Sequence, residues 1–286
     1  SIELPSINRV RFSSKLDSIA RLIASVVAPV AEPEDAIAIT FSQESVFAEK
    51  INNTTLLTET FLGFDNQQNL YSIKDNVLSK QHELTNYQYK NVSLGKITRV
   101  DFQNPLQIVV FYNDFNTVIL LDNQLNETKK IDFNLLSEAV NIDAIALSSQ
   151  NQLWFFDAIS SKIGLYNLTN DSLKWISTTL EHPIKHYHSN YTHFYWLNDK
   201  NKFHSISIYG TIETFDYFPK FDVIQLINDE IALYSNDNQL FYYEIANNRS
   251  KKIKIDENFI TNFFFKDGIL SIFTQNEITN YKIILP

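Results

Sequence analysis

Residues 109–121 read VVFYNDFNTVILL, two apolar runs that are separated by a polar turn around Asp114. Both runs are rich in β-branched and aromatic residues, which are typical of strands. Asp and Asn tolerate left-handed backbone, so the turn between the runs can close a tight hairpin without glycine. The stretch therefore predicts a β-hairpin.

This pattern recurs along the chain at intervals of 39, 43, 42, 38 and 39 residues. A period near 40 residues that holds four strands is the length of a propeller blade. The sequence therefore predicts an all-β fold, a β-propeller of six four-stranded blades over residues 44–286, with a β-sandwich or a β-helix as alternatives. The equivalent turns carry Asp75, Asp114, Asp157, Asp199, Asp237 and Asn276.

The two ends of the repeat region predict how the ring closes. The last copy of the pattern holds only three strands, and the strand-like residues 46–57 belong to no copy. Closure removes the last open sheet edges. We therefore expect residues 46–57 to pair with the strand near residues 278–285.

Residues 1–43 differ from the rest and form a predicted N-terminal arm or linker. Apolar residues at helical spacing over residues 14–27 predict a helix that ends before Pro29, and an extended segment follows. A partner-binding arm and a signal peptide are both compatible with this pattern.

Composition narrows the classes of function. The net charge of −9 disfavours a nucleic-acid partner, because phosphate binding needs a clustered basic face. The absence of cysteine excludes disulfides, zinc-thiolate sites and thiol catalysis. A mean hydropathy of −0.19 argues against a membrane-embedded protein.

Five of the six histidines lie between residues 182 and 204, which raises the question of a metal. On a strand, His186 and His188 point to the same side and could bind zinc with a third ligand from His182 or His193. Alternatively, these side chains share the half-buried role of the neighbouring tyrosines. No complete ligand set is visible, so we expect no metal.

Acidic residues recur near the predicted first strand of several blades. Channel-facing carboxylates of this kind hold calcium in lactonase-type propellers. Here they lack a consistent glutamate partner, and most other carboxylates occupy turns. No catalytic motif is present, so we expect no catalytic residue and no cofactor. The acidic candidates are Asp65, Asp101, Asp143 and Asp222.

Residues 104–118 and the ending at residues 270–274 and 278–282 resemble segments of propeller-like envelope proteins from Bacteroidota. The resemblance extends over residues 44–286 and brings no catalytic residues. Within this group it points to the plug subunit at the periplasmic mouth of the type 9 secretion translocon. It implies a periplasmic protein that interacts with a large outer-membrane translocon barrel.

The predicted partner surface lies on interblade loops, because loops on a rigid scaffold can vary without disturbing the blades. The candidates are Tyr217, Phe218 and Phe221, with Asn104 and Pro105 in the second blade. Alternatively, Phe218 and Phe221 pack between blades. The rival hypothesis is an enzyme or small-molecule binder that uses the central channel.

Overall fold

The computed structural model describes residues 45–82 and 84–285 of the chain. The helix predicted within residues 1–43 lies outside the described residues. In the described part, no helix is long and apolar enough to cross a membrane. The regular structure is almost entirely β-strand, and two short 3-10 turns span Asn113–Phe115 and Phe133–Leu135.

The strands form antiparallel repeats in which consecutive strands are neighbours. The first strand of the chain is β1 (Val46–Thr55), which joins the last sheet. The first sheet holds β2 (Thr60–Phe64), β3 (Leu70–Lys74), β4 (Val77–His82) and β5 (Thr85–Tyr89). The second sheet holds β6 (Arg99–Asp101), β7 (Ile108–Tyr112), β8 (Thr117–Leu121) and β9 (Glu127–Asp132).

The third sheet holds β10 (Ile142–Leu147), β11 (Gln152–Asp157), β12 (Lys162–Asn167) and β13 (Ser172–Trp175). The fourth sheet holds β14 (Ile184–Ser189), β15 (His193–Asn198), β16 (Lys202–Ser207) and β17 (Ile212–Tyr217). Two further repeats follow. They contain β18 (Val223–Leu226), β19 (Ile231–Asn236), β20 (Gln239–Glu244) and β21 (Arg249–Lys254), then β22 (Asn262–Lys266), β23 (Ile269–Phe273) and β24 (Glu277–Ile283).

The predicted count of six separate blades is wrong, because the described chain has four separate four-stranded blades. The last two repeats share one eight-stranded sheet, in the order β18-β19-β20-β21-β1-β24-β23-β22. The cause is β1, which pairs with β24 on one side. On its other side it pairs in parallel with β21, over Val46 and Phe47.

The predicted pairing of the two chain ends is confirmed. β1 runs antiparallel to β24 over seven residue pairs, from Ala48 opposite Ile283 to Thr55 opposite Glu277. The next strand along the chain, β2, also packs beside β22. The first and last repeats are therefore neighbours, as a closed ring requires.

The Asp and Asn turns also occur where the sequence predicts them, between the second and third strands of each repeat. Asp75 and Asn76 both have positive φ, 51° and 58°, and Asp237 and Asn238 have 50° and 58°. Two successive residues with positive φ form the hairpin turn whose twist matches that of the strands. Asp and Asn thus replace glycine in a chain that has only five glycines.

The turns lie at two opposite ends of the sheets. Turns between the first and second strands, and between the third and fourth, form one end, here called the hairpin rim. Turns between the second and third strands, with the connections between repeats, form the linker rim. Backbone Phe218 N donates to Asn201 O across the linker rim at 2.7 Å. On the hairpin rim, Gln107 donates to Asn151 at 3.3 Å.

The hydrophobic core lies between neighbouring sheets. One cluster joins the second and third sheets through Phe111, Phe133, Phe155 and Tyr166. Similar clusters fill the other sheet interfaces, and the cluster around Val46 fills the eight-stranded sheet where β1 enters it. The first strand of each repeat lies nearest the centre of the ring.

Candidate functional site

Of the aromatic residues predicted to bind a partner, only Tyr217 is well exposed. It ends β17 and is 61% exposed, with Nζ of Lys202 5.8 Å from the centre of its ring. Phe218 is only 5% exposed and packs edge-on against Tyr243, at 4.5 Å between ring centres. The alternative prediction, packing between neighbouring sheets, is therefore correct for Phe218, which cannot contact a partner from this position.

Phe221 has an intermediate position. It is half-buried, and its ring lies edge-on to His186 at 4.8 Å and to Phe218 at 5.8 Å. Nζ of Lys185 lies 5.7 Å from the centre of the ring. Phe221 thus links the linker rim to the lining of the central cavity.

The two predicted partner-binding segments do not form one surface. Asn104 and Pro105 are half-buried in the turn between β6 and β7, on the hairpin rim. The Asn104 side chain accepts a hydrogen bond from Leu106 N at 3.0 Å and so shapes that turn. Tyr217 lies on the linker rim, because it precedes a connection between repeats. Antiparallel strands separate the two segments by the full length of a blade.

The centre of the ring encloses a cavity of about 1200 Å³. Its lining comes mainly from β2, β6, β14, β18 and β22, the first strands of their repeats. The walls combine aromatic side chains, such as Phe102 and Phe264, with cationic ones, such as Arg99 and Lys266. A cavity of this size accepts a small molecule, for which typical sites measure about 300–1000 Å³.

Several polar side chains of the first strands bind the backbone of the adjacent first strand. Asn262 donates to Phe61 O at 2.7 Å and so joins β22 to β2. Gln225 of β18 both donates to Phe265 O, at 2.8 Å, and accepts from Phe265 N, at 2.7 Å. These amides hold the strands of the cavity wall together, so their polar atoms already have partners.

The four acidic candidates for a calcium site are likewise engaged in structure rather than gathered around one point. Asp101 accepts from Gln103 N at 2.9 Å and from Leu147 N at 2.8 Å, which ties β6 to β10. The other three accept hydrogen bonds at separate places in the fold: Asp65 from Gln67, Asn69 and Tyr71, Asp143 of β10 from Asn113, and Asp222 from Asp237 N. Their placement does not bring them together.

The histidines predicted as possible zinc ligands are dispersed. His186 and His188 both line the cavity. His182 instead contacts Asp199 at 3.1 Å, and the ring of His204 stacks on Trp196 at 5.0 Å between centres. Within residues 45–82 and 84–285, no three His, Asp or Glu side chains are grouped closely enough to hold a metal. The expected metal-free state stays a prediction.

Two histidines of β14 have depressed pKa values. Burial, together with the Lys185 and Arg99 cations, lowers the pKa of His186. Burial and then Arg99 lower the pKa of His188 to about 4. Both imidazoles are therefore neutral at pH 7, and each can donate one hydrogen bond and accept another.

Arg99 lines the cavity and was not among the predicted site residues. Its guanidinium carbon lies 4.6 Å from the centre of the Tyr187 ring, so β6 reaches β14 across the intervening β10. The available signal was its rarity, because Arg99 and Arg249 are the only arginines in residues 44–286. Its position in the cavity becomes clear only when the first strands are assembled.

No protein-family model matches the chain, and no curated protein is similar to it in sequence. A member of the DUF4221 family from Bacteroides vulgatus superposes with a TM-score of 0.55, at 9% identity over 85% of this chain and 99% of that one. A catalytically inactive virginiamycin B lyase from Staphylococcus aureus, with quinupristin, gives a TM-score of 0.53, at 11% identity over 82% and 99%.

The β-propeller domain of Myceliophteria thermophila Cps50 (Swd1) gives a TM-score of 0.52, at 11% identity over 83% of this chain and 100% of that domain. At such low identities these likenesses concern architecture and carry over no activity. Together with the ring of sheets they identify the fold of residues 45–285 as a β-propeller.

Proposed function

We propose that this propeller is a non-catalytic protein-binding module of the periplasm, and that it plugs the type 9 secretion translocon at the outer membrane. The resemblance of residues 104–118, 270–274 and 278–282 to Bacteroidota envelope propellers supports the proposed location and the proposed partner, a large outer-membrane barrel. Exposed apolar side chains support the binding role, and we assign the binding surface to the linker rim.

One observation carries the proposal: the linker rim exposes large apolar side chains at most of its connections. Tyr217 lies at the connection into β18, and Phe259, 67% exposed, lies in the connection into β22. The connections into β2, β6 and β10 expose one aliphatic side chain each: Leu57, Val92 and Leu135. Exposed aromatic residues on a rigid rim are the usual anchors of protein interfaces.

The cavity wall supports the non-catalytic part of the proposal. An active site needs polar groups that are free to act on a substrate. Asp101, Gln225 and Asn262, which have the chemistry of catalytic or metal-binding groups, are instead bonded to the backbone of neighbouring strands. Their role is to hold the ring together.

The test is affinity capture from a Bacteroidota envelope extract with the full chain as bait. We expect recovery of a large outer-membrane barrel. The double variant Tyr217→Ala/Phe259→Ala should lower recovery by about tenfold or more, because each aromatic anchor contributes on the order of 1–2 kcal/mol. Phe218 is left unchanged because it belongs to the core.

A matched control is Tyr209→Ala. Tyr209 is 87% exposed and lies on the hairpin rim, between β16 and β17. It should leave capture unchanged. Failure to recover a barrel with the unmodified chain would refute the translocon role, and equal losses for the two rims would refute the assignment to the linker rim.

A further inference from the structure

The central cavity is locally basic within an acidic protein. The chain has a net charge of −9, yet the cavity lining carries four lysine or arginine residues and three acidic ones. One of the acids, Asp101, already accepts two backbone hydrogen bonds. The basic lining residues are Lys96, Arg99, Lys185 and Lys266, and the acidic ones are Glu59, Asp101 and Asp267.

Arg99 has hydrogen-bonding capacity that the described protein leaves unused. Its Nε is buried and has no hydrogen-bond partner. None of the five ion pairs among the described residues includes it. A guanidinium carries five N–H donors, and a buried donor without an acceptor costs about 1–3 kcal/mol. The protein supplies the aromatic face of Tyr187 to this cation but no acceptor for Nε.

The platform beneath Arg99 is fixed. The Tyr187 hydroxyl accepts from Ile145 N and donates to Ile145 O, both at 3.3 Å, so the ring is held between β14 and β10. The Tyr187 ring also stacks on Phe194, at 5.5 Å between centres. A guanidinium stacked on a fixed ring keeps its edge, with the N–H donors, directed away from the ring.

Several neighbours of Arg99 suit an anionic ligand, although the Asp101 and Asp143 carboxylates also act on the Tyr187 hydroxyl beside it. His186 and His188 line the same cavity and are neutral, so they add hydrogen-bond donors without repelling Arg99. Burial is the main cause of both lowered pKa values, and Arg99 lowers them further. Phe102 and Phe264 supply apolar wall for the remainder of a ligand.

We propose that the central cavity binds a small organic anion, whose carboxylate or phosphate oxygens accept hydrogen bonds from the Arg99 guanidinium. Arg is suited to this because two parallel N–H donors match two oxygens of either group. The aromatic wall residues favour a ligand that also carries an apolar or aromatic portion. The inference concerns the cavity and is independent of the rim surface proposed above.

Arginine side-chain NMR tests the proposal at the residue concerned. The full chain has five arginines, so labelling arginine with ¹⁵N gives five Nε–H signals, and Arg99→Lys identifies the one from Arg99. The probes are benzoate, phenyl phosphate and the neutral benzamide. We expect a saturable shift of the Arg99 signal with one or both anions and none with benzamide.

The two anions distinguish a site for carboxylates from a site for phosphates. A response to benzoate alone assigns a carboxylate, a response to phenyl phosphate alone assigns a phosphate, and a response to both assigns a general oxyanion site. Arg99→Lys keeps the charge but not the paired donors, so it should weaken binding of the effective probe by about tenfold, measured by calorimetry. Arg249→Lys, on β21, is the matched control and should have no effect.

The proposal is overturned if the Arg99 signal moves no more than the Arg249 signal with either anion. It is also overturned if benzamide shifts Arg99 as strongly as benzoate, because the site would then recognise the ring and not the charge. Thermal melts of both lysine variants confirm that they are folded. Capture of an outer-membrane barrel by Arg99→Lys should be unchanged, so failure of this inference and failure of the proposed function remain distinguishable.

Discussion

Two turns of the protein share the pattern Asp-Asn-Gln-x-Asn, at residues 65–69 and 122–126, and differ in burial. In both, the first carboxylate accepts backbone hydrogen bonds from the residues two and four positions later, at 2.8–3.0 Å. The Asp65 side chain is fully buried and lies 3.8 Å from Nζ of Lys80, which is 4% exposed. Asp122 belongs to no ion pair in the described chain. The two turns therefore form a matched pair for measuring a buried charge.

We expect Asp65→Asn to lower the free energy of unfolding by about 3 kcal/mol. Asparagine keeps the size and one acceptor oxygen, but it leaves the Lys80 ammonium buried without its counter-charge. Breaking a buried ion pair from one side costs about 3–5 kcal/mol. The lower end applies because Lys80 also donates to Asn123 O at 3.0 Å. Asp122→Asn should have a much smaller effect, since Lys80 also acts on Asp122 but keeps its buried counter-charge Asp65 in this variant.

Urea unfolding followed by tryptophan fluorescence measures these differences, with stability read from the midpoint at constant m value. A second substitution, Lys80→Met, in the Asp65→Asn background should restore most of the loss, because a methionine of similar volume needs no counter-charge. Equal losses for the two asparagine variants would refute the reasoning, since the turn alone would then explain them. A double variant no more stable than Asp65→Asn would refute it as well.

Three further predictions concern closure, pH and packing. Val46→Ala should cost about 2 kcal/mol in urea unfolding, because Val46 is buried where β1 enters the eight-stranded sheet, whereas Phe47→Ala, at a 73% exposed position, should cost little. Burial lowers the pKa of His188 from 6.5 to about 4, so the folded protein favours the neutral imidazole. The free energy of unfolding should therefore be highest above pH 6.5 and decline as the pH falls to 4. His188→Gln should reduce that decline by up to about 3 kcal/mol at pH 4. Gly164→Ala should lower the melting temperature, with a cost of about 1–3 kcal/mol, because the new Cβ would lie 2.4 Å from the ring of Phe155.

The repeat and the ring closure could be predicted from the sequence because both depend on local signals. Asp75 and Asp237 adopt positive φ in the turns that the period indicated. The unpaired strand at residues 46–57 could complete the last repeat, which has only three strands of its own, by pairing with β24. The count of separate blades could not be predicted in this way. It depends on the contact of Val46 and Phe47 with β21, which is a feature of tertiary structure and leaves no periodic pattern.

The candidate site was less predictable, because exposure and direction are set by neighbouring repeats. Tyr217 and Phe218 are adjacent in the chain, but Tyr217 ends β17 exposed to solvent, whereas Phe218 follows the strand and is buried in the core. Polar neighbours in the sequence do not distinguish an exposed aromatic residue from a buried one. Arg99 was hard to predict for a different reason, because no sequence motif surrounds it in its strand. Its significance comes from Tyr187, which lies 88 positions later in the sequence and 4.6 Å away from its guanidinium carbon in the fold.

The cavity wall gives a physical reason to separate the two proposed binding activities. Asn262, Gln225 and Asp101 each form hydrogen bonds to the backbone of an adjacent strand, so the wall is rigid. Arg99 Nε and Gln103 Nε2 are buried in this wall without a hydrogen-bond partner. A rigid wall transmits little change to the connections of the linker rim, so occupation of the cavity should not alter partner capture. Adding benzoate or phenyl phosphate to the capture experiment tests this directly. The opposite result would be competition between the anion and the barrel that is lost in Arg99→Lys. It would show that an acidic group of the partner enters the cavity, so that the anion site is part of the partner-binding surface.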